Sequence, residues 1–318
     1  MKKNFYYVIG VDGGGVKTFA ALANLNGKVL ATAKTGSSSP RNVGFEKAID
    51  NLAVAIKLLL KKIKDKNIVS VFLGLPCLEE EFKGKEEKIK KELKKHKEIL
   101  PIFKGKVIIG SDQLVGFRSG TDKREGIVLI AGSGQVVHGW RGKKEIKISG
   151  WGYLTEKGSA FWVGKRGLEK VLEHLDGIGS KTLITNLLFQ KFHLRKREDL
   201  LTKIYSGNLQ NNICLISIFV DQAAKRGDKI SKKILIEGGK ELTKTTKIAI
   251  RKLGFQKRKF PLVLIGSMFK SKLILETVKK EIKKFAPEAE IIRPEKEPVF
   301  GAIKLAMEGV KLTDNKDI

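Results

Sequence analysis

The chain has 318 residues, 42% of them hydrophobic, so it can bury a globular core, and two domains are expected at this length. Its formal charge of +29 would suit a polyanion, but the lysines are spread over nearly every predicted helix without a recognisable nucleic-acid-binding signature. A solvated surface is therefore favoured over a nucleic-acid site. No stretch resembles a membrane span or a signal peptide, and Cys77 and Cys214 form no CxxC pattern, which indicates a reduced, cytoplasmic setting.

Three short apolar runs, separated by a glycine-rich turn and an Asn-Gly turn, open the chain and predict an antiparallel meander over residues 5–36. After a loop at 37–44, strand and helix patterns alternate, which predicts a mixed sheet with helices packed on it. The predicted elements are a helix from Gly44 to about Lys64, a strand at 68–74, a basic helix from about Lys85 to Leu100 and a strand at 106–110.

The first turn of the meander carries the chemistry. Asp12 is followed by Gly13, Gly14 and Gly15, whose missing side chains let backbone N–H groups approach an anion, and then by Lys17 and Thr18. A carboxylate at this place can hold a hydrated Mg²⁺. A Walker P-loop is excluded because Val16 intervenes and the next segment is a predicted strand. An ordinary hairpin with a flexible turn is the alternative.

Asp112 lies just past the predicted strand at 106–110, where α/β sheets place their ligands. It is a candidate general base that takes a proton from a hydroxyl as that oxygen attacks phosphorus. A helix N-cap is the competing role for the same side chain.

A second meander is predicted over residues 126–148, with a turn at Gly132, Ser133 and Gly134. It repeats the order strand, glycine turn, strand, turn, strand, so two related domains are expected with a cleft between them and the two glycine turns facing across it. The remaining predictions are helices at 160–175, 181–192, 198–205, 213–225 and 229–253, a strand at 261–267, a helix from Met268 to about Phe285, a strand at 290–293 and a last helix from Pro298. The N-terminus of the helix at Met268 would offer N–H groups to a nucleotide.

Together these residues resemble the actin-like, sugar-kinase and Hsp70 superfamily, and within it the BadF/BadG-type ATPases, which include N-acetylglucosamine kinases and archaeal hexokinases. The likeness covers essentially the whole chain, and the six motifs occur in the family's order. They are 12–18 (first phosphate motif), 111–112 (catalytic aspartate), 131–134 (second phosphate motif), 158–162, 266–271 (adenosine motif) and 298–302.

The resemblance implies an α/β, two-domain actin-like ATPase fold of the ribonuclease H-like type, with mixed sheets flanked by helices and an ATP cleft between the domains. The N-terminal domain would span residues 1–115, with the helix at 298–312 packing back on it. The C-terminal domain would span 116–297 and carry a helical insertion.

Roles are carried over residue by residue. Asp12 would hold Mg²⁺ through water, the turns at 13–18 and 132–134 would hold the phosphates of ATP, and Asp112 would accept the proton of the sugar hydroxyl. Gly266, Ser267 and Lys270 would border the adenosine. On the sugar side the resemblance points to Ser39, Asn42, Trp151 and Glu156.

Three departures from the family pattern fall mainly on the sugar side. Val16 stands where Thr is usual, Ser39 replaces a sugar-binding Asn, and the acidic pair before Gly-Ser is here Glu156-Lys157. Glu156 is expected to take the carboxylate's role while Lys157 is solvated.

The predicted function is ATP- and Mg²⁺-dependent phosphoryl transfer to a hydroxyl of a sugar or amino sugar, by a homodimer. Two alternatives stay open. One is an ATPase that activates a partner protein, as the dehydratase activators of this family do with a shared [4Fe–4S] cluster, although neither cysteine matches such a motif. The other is a non-catalytic nucleotide or sugar sensor, or a nucleic-acid binder.

Overall fold

The computed structural model describes residues 5–76 and 84–314, with side chains of the last helix described as far as Val310. Cys77 lies outside these residues. The chain forms two compact units: the first contains Met1–Asp122 and Pro294–Ile318, and the second contains Lys123–Arg293. The divisions after 122 and 293 differ from the expected ones after 115 and 297, because residue 115 lies inside a helix that belongs wholly to the first unit.

The first unit is built on a five-stranded sheet in the order β3-β2-β1-β4-β5. The predicted meander is confirmed, since β1 pairs antiparallel with β2 and β2 with β3, whereas β4 and β5 run parallel to β1. The strands are β1 (Tyr7–Gly13), β2 (Thr18–Asn24), β3 (Val29–Thr35), β4 (Ile68–Leu75) and β5 (Lys106–Ser111).

The helices of this unit follow the predicted pattern with two corrections. The loop at 37–44 contains one short helix. The basic helix predicted to Leu100 ends at Lys94, because His96 is in an extended conformation, and a tighter 3₁₀ segment at Lys97–Lys104 follows. The helices are α1 (Pro40–Val43), α2 (Phe45–Leu60), α3 (Glu86–Lys94) and α4 (Asp112–Gly120).

The second unit repeats the arrangement, with a sheet in the order β10-β9-β6-β7-β8. Its strands β6 (Gly126–Ala131), β7 (Gln135–Arg141) and β8 (Lys144–Ser149) form the predicted second meander, and β9 (Phe260–Ile265) and β10 (Ala289–Ile292) run parallel to β6. The repeat of one supersecondary unit is thereby confirmed.

Helices pack on the second sheet around a core of their own. They are α5 (Ala160–Leu175), α6 (Leu183–Phe192), α7 (Arg197–Tyr205), α8 (Leu209–Lys225), α9 (Lys229–Leu253) and α10 (Lys272–Phe285). The prediction of a helix beginning at Met268 is wrong: Ser267–Lys270 is a 3₁₀ turn that buries Met268 and Phe269, and α10 begins only at Lys272. The N-terminus of α10 is thus not at the predicted place.

The last helix, α11 (Val299–Asp314), belongs to the first unit and packs on β1 and α4 through glycines. A Cβ on Gly10 would lie 2.5 Å from the backbone nitrogen of Ile303, and one on Gly301 would lie 2.1 Å from the carbonyl oxygen of Val115. Together with α2 on the opposite face, this helix covers the sheet on both sides. Within the described ranges, no helix is both long and apolar enough to cross a membrane.

Candidate active site

The two predicted acids of the first unit share one edge of its sheet. Asp12 near the end of β1 pairs with Gly74 of β4, and Leu75 of β4 pairs with Ser111, the last residue of β5. Because β1, β4 and β5 are parallel, Asp12 and Asp112 follow the strands to the same carboxyl edge. The topology brings together what the sequence separates by a hundred residues.

Asp12 is held in an unusual electrostatic state. Burial, with a further contribution from the nearby Glu297 carboxylate, raises its pKa to about 7, against the lowering effect of Lys17. An ionised carboxylate at this place therefore calls for a cation. Lys17 lies 3.9 Å from Glu297, with both side chains about half exposed.

Asp112 is not the helix cap. Ser111 takes that role, since its hydroxyl oxygen accepts the N–H of Leu114 at 3.2 Å, and Asp112 is the first residue of α4. The carboxylate of Asp112 accepts a hydrogen bond from the side-chain amide of Gln113. The competing interpretation of Asp112 as an N-cap is wrong, and its half-buried carboxylate is placed at the sheet edge instead.

The glycine turn after β1 is fastened to the segment that follows β3. Thr18 donates its hydroxyl to the carbonyl of Gly36 at 2.8 Å, so the hydroxyl expected to face phosphate is used within the protein. Asn42 donates its amide to the carbonyl of Gly15 at 2.6 Å. Ser39 is 3% exposed and precedes α1, whereas Asn42 is exposed.

In the second unit the turn at Gly132–Gly134 is braced from both sides. The N–H of Gly132 donates to the carbonyl of Gly134 at 2.9 Å, and the carbonyl of Gly132 accepts the N–H of Ala160 at 2.7 Å. Ser133 at its tip is exposed. A rigid turn with an exposed tip suits an anion because its backbone donors need no rearrangement.

Glu156 is buried and supports this turn. One carboxylate oxygen accepts the N–H of Gln135 at 2.6 Å, and the other accepts the N–H of Gly152 at 2.7 Å. Neighbouring Trp151 is 83% exposed. The carboxylate therefore orders the segment that carries Trp151, and each oxygen keeps a second lone pair for a hydroxyl.

The change Glu156→Gln is expected to lower the free energy of unfolding by about 1–3 kcal/mol, because the amide replaces one of two acceptors and sets an NH₂ group against a buried N–H. Urea denaturation measures this. Lys157→Gln, next along the chain, is the control and is expected to change stability by less than about 0.5 kcal/mol. Unchanged stability of Glu156→Gln would contradict the supporting role.

Gly266 brings β9 against β6. Its φ is +115°, and a Cβ there would lie 2.2 Å from the carbonyl oxygen of Ala131. Gly266, Ser267 and Lys270 are all exposed, so they are accessible to a ligand as the adenosine prediction requires.

The change Gly266→Ala is expected to lower the melting temperature sharply, with a cost of about 2–4 kcal/mol from backbone strain and overlap. Differential scanning calorimetry measures it. Gly132→Ala is the stability control, since a Cβ there meets nothing within 4 Å. Equal melting temperatures for the two variants would refute the argument.

Two further residues lie at the first turn, Glu297 and Ser38, and the sequence motifs did not single them out. Glu297 directly precedes the Pro298 motif and could have been found there. Ser38 is fully buried against Gly13, and its hydroxyl has no hydrogen-bond partner. Only tertiary structure identifies Ser38, because three consecutive serines look alike in the sequence.

Sequence comparison matches residues 9–306 to the family described as the BadF/BadG/BcrA/BcrD ATPase family. The chain belongs to this ATPase family. The family resemblance is thus confirmed over nearly its whole length. An N-acetyl-D-glucosamine kinase of Dictyostelium discoideum is 33% identical over 95% of this chain and 98% of its own. An N-acetylmuramic acid/N-acetylglucosamine kinase of Clostridium acetobutylicum is 29% identical over 94% and 98%.

Solved structures support the fold of this ATPase. A Chromobacterium violaceum protein provisionally described as an N-acetylglucosamine kinase has a TM-score of 0.71 at 18% identity, covering 94% of this chain and 98% of its own. A ROK family glucokinase of Streptomyces griseus, solved with glucose and AMPPNP, has a TM-score of 0.60 at 14% identity, covering 95% and 99%. The predicted actin-like class, with mixed sheets flanked by helices, is confirmed.

Proposed function

We propose that the protein is an ATP-dependent kinase that phosphorylates a hydroxyl of a sugar or amino sugar, with N-acetylglucosamine the first candidate. The observation that carries the proposal is the placement of Asp12, the glycine turn and Asp112 at one carboxyl edge of the first sheet. Both curated relatives are named as kinases of N-acetylated amino sugars, and the family name gives ATPases, which supports ATP as the phosphoryl donor.

Each residue has a defined task in this reaction. Asp112 accepts the proton of the attacking sugar hydroxyl, and its hydrogen bond from Gln113 orients the carboxylate. Backbone N–H groups of Gly13–Gly15 bind the phosphates and Lys17 adds a positive charge. The turn Gly132–Gly134 is proposed as a further phosphate-binding turn. Gly266, Ser267 and Lys270 border the adenosine.

The residues at the end of β1 fit a magnesium ion. Asp12 and Glu297 offer hard oxygen ligands, and across the described ranges no cluster of three or more His, Cys, Asp or Glu could hold a metal. That donor set suits Mg²⁺, which is bound by one or two carboxylates together with water and substrate phosphates. When bound, Mg²⁺ neutralises charge on the transferring phosphate.

The sugar side is proposed to use Trp151 and the carboxylate of Glu156. Ser39 is not assigned a sugar contact, because its side chain is buried and its backbone N–H and carbonyl are bonded to Ser37, Asn42 and Val43. A homodimer and a cytoplasmic location stay predictions. Light scattering on the purified protein tests the first of these.

The decisive experiment measures ADP release from ATP and Mg²⁺ with and without N-acetylglucosamine, glucosamine, glucose and mannose. Stimulation of at least about tenfold by one sugar, with sugar phosphate in the products, is the expected result. ATP hydrolysis at the same rate with and without every sugar would reject the kinase proposal and favour the partner-activating ATPase. Tight ATP binding without turnover would favour the sensor.

A further inference from the structure

The segment Gly36–Asn42, here called the serine loop, is joined to the phosphate-binding turn Gly13–Thr18 by several hydrogen bonds. The carbonyl of Gly14 accepts both the hydroxyl of Ser37 and the N–H of Ser38, each at 3.2 Å. The carbonyl of Gly15 accepts the side-chain amide of Asn42 at 2.6 Å. Thr18 completes the connection through its bond to Gly36 at 2.8 Å.

These bonds fix the direction of the donors that would meet phosphate. In a planar trans peptide the carbonyl of one residue and the N–H of the next point in opposite directions. Holding the carbonyls of Gly14 and Gly15 toward the serine loop therefore turns the N–H groups of Gly15 and Val16 away from it. Val16 is 75% exposed, so this side of the turn faces solvent and is open to a ligand.

The hydrogen bond from Asn42 is the least supported of these contacts. The serine-loop contacts to Gly14 involve two donors from the buried residues Ser37 and Ser38, whereas Gly15 is held by a single exposed amide on the one-turn helix α1. Without that amide the peptide between Gly15 and Val16 can rotate more freely, since the missing side chain of Gly15 leaves its ψ, one of the two flanking torsions, little restricted.

We infer that Asn42 is a positioning residue for the nucleotide and does not act by contacting the sugar. Its amide holds the Gly15 carbonyl so that the Val16 N–H is aimed at a phosphate of ATP. This inference deepens the proposed function and rests on it for the identity of the reaction, but the effect on nucleotide binding stands without any sugar.

The test compares Asn42→Asp, Asn42→Ala and the control Asn26→Asp by titration calorimetry with AMPPNP and Mg²⁺ in the absence of sugar. The substitution Asn26→Asp makes the same charge change as Asn42→Asp. Asn26 lies in the turn at the opposite end of β2. Loss of one hydrogen bond predicts about three- to tenfold weaker binding for Asn42→Ala. Asn42→Asp is expected to lose more, because it sets a carboxylate against the Gly15 carbonyl, and Asn26→Asp less than about twofold.

Steady-state kinetics supplies a readout that a purely structural role would not move. The KM for ATP is expected to rise in both Asn42 variants while the KM for the sugar stays within about twofold. Unchanged AMPPNP affinity, or a rise confined to the sugar KM, would overturn the inference, the latter showing direct contact with the sugar. If the wild type binds AMPPNP but no sugar stimulates ADP release, the kinase proposal fails while the affinities of the Asn42 variants still decide this inference.

Discussion

Replacing Asp112 with asparagine is expected to lower kcat for sugar phosphorylation by about a hundred- to ten-thousandfold, the usual contribution of a general base. The amide keeps the shape of the carboxylate but cannot accept the proton. Affinity for AMPPNP, measured by calorimetry, should stay within about twofold because phosphate binding is assigned to other residues. Coupled detection of ADP measures kcat.

The control for this variant is Asp122→Asn, which makes the same charge change in the same unit at an 85% exposed side chain paired with Lys304. It should retain full activity. Full activity of Asp112→Asn would remove the general base from the mechanism, and a rise in KM for ATP with unchanged kcat would place Asp112 in nucleotide binding instead.

Replacing Asp12 with asparagine is expected to abolish activity and yet stabilise the protein at pH 8. The pKa of Asp12 is about 7 in the folded protein, against an ordinary value of 3.8. Between these pH values the folded state keeps a proton that the unfolded state releases, so stability falls as pH rises from about 4 to about 7. Above pH 7 ionisation of Asp12 lowers the free energy of unfolding by its full amount, at most on the order of 4 kcal/mol. Asparagine does not ionise, so this cost is absent in the variant.

Urea denaturation at pH 5 and pH 8 in EDTA measures this effect. The Asp12→Asn variant should be more stable than the wild type at both pH values, and by clearly more at pH 8, because only part of the ionisation cost is present at pH 5. Asp122→Asn is again the control, with the opposite sign, because Lys304 lowers the pKa of Asp122 and its loss removes a weak surface pair. A destabilised Asp12→Asn at pH 8 would contradict the assigned electrostatic state.

Magnesium is expected to offset the destabilisation that ionised Asp12 causes in the wild-type protein. A divalent cation at Asp12 binds the ionised carboxylate, so Mg²⁺ is expected to raise the melting temperature more at pH 8 than at pH 5, and not in the Asp12→Asn variant. Equal Mg²⁺ shifts in both proteins would place the ion elsewhere.

The sequence predicted the elements that have strong local signals. The two meanders follow from glycine turns between apolar runs, and α5 and α9 have the predicted bounds because long amphipathic segments between clear breaks define helices by themselves. The predictions failed where the backbone leaves the α-helical conformation although the pattern of apolar residues continues, at His96 and at the 3₁₀ turn after Gly266. The glycine turns and Asp112 were found as motifs.

The role of each acidic residue depends on the groups that surround it in the folded structure. Only the tertiary structure sets Glu297 beside Asp12 and turns the Asn42 amide onto Gly15. A motif specifies residue types along the chain, whereas burial and hydrogen-bond partners come from segments far apart in sequence. The sequence by itself therefore determined the family, the repeat and the candidate residues, and tertiary packing decided which of them carry charge, which support the backbone and which are open to a ligand.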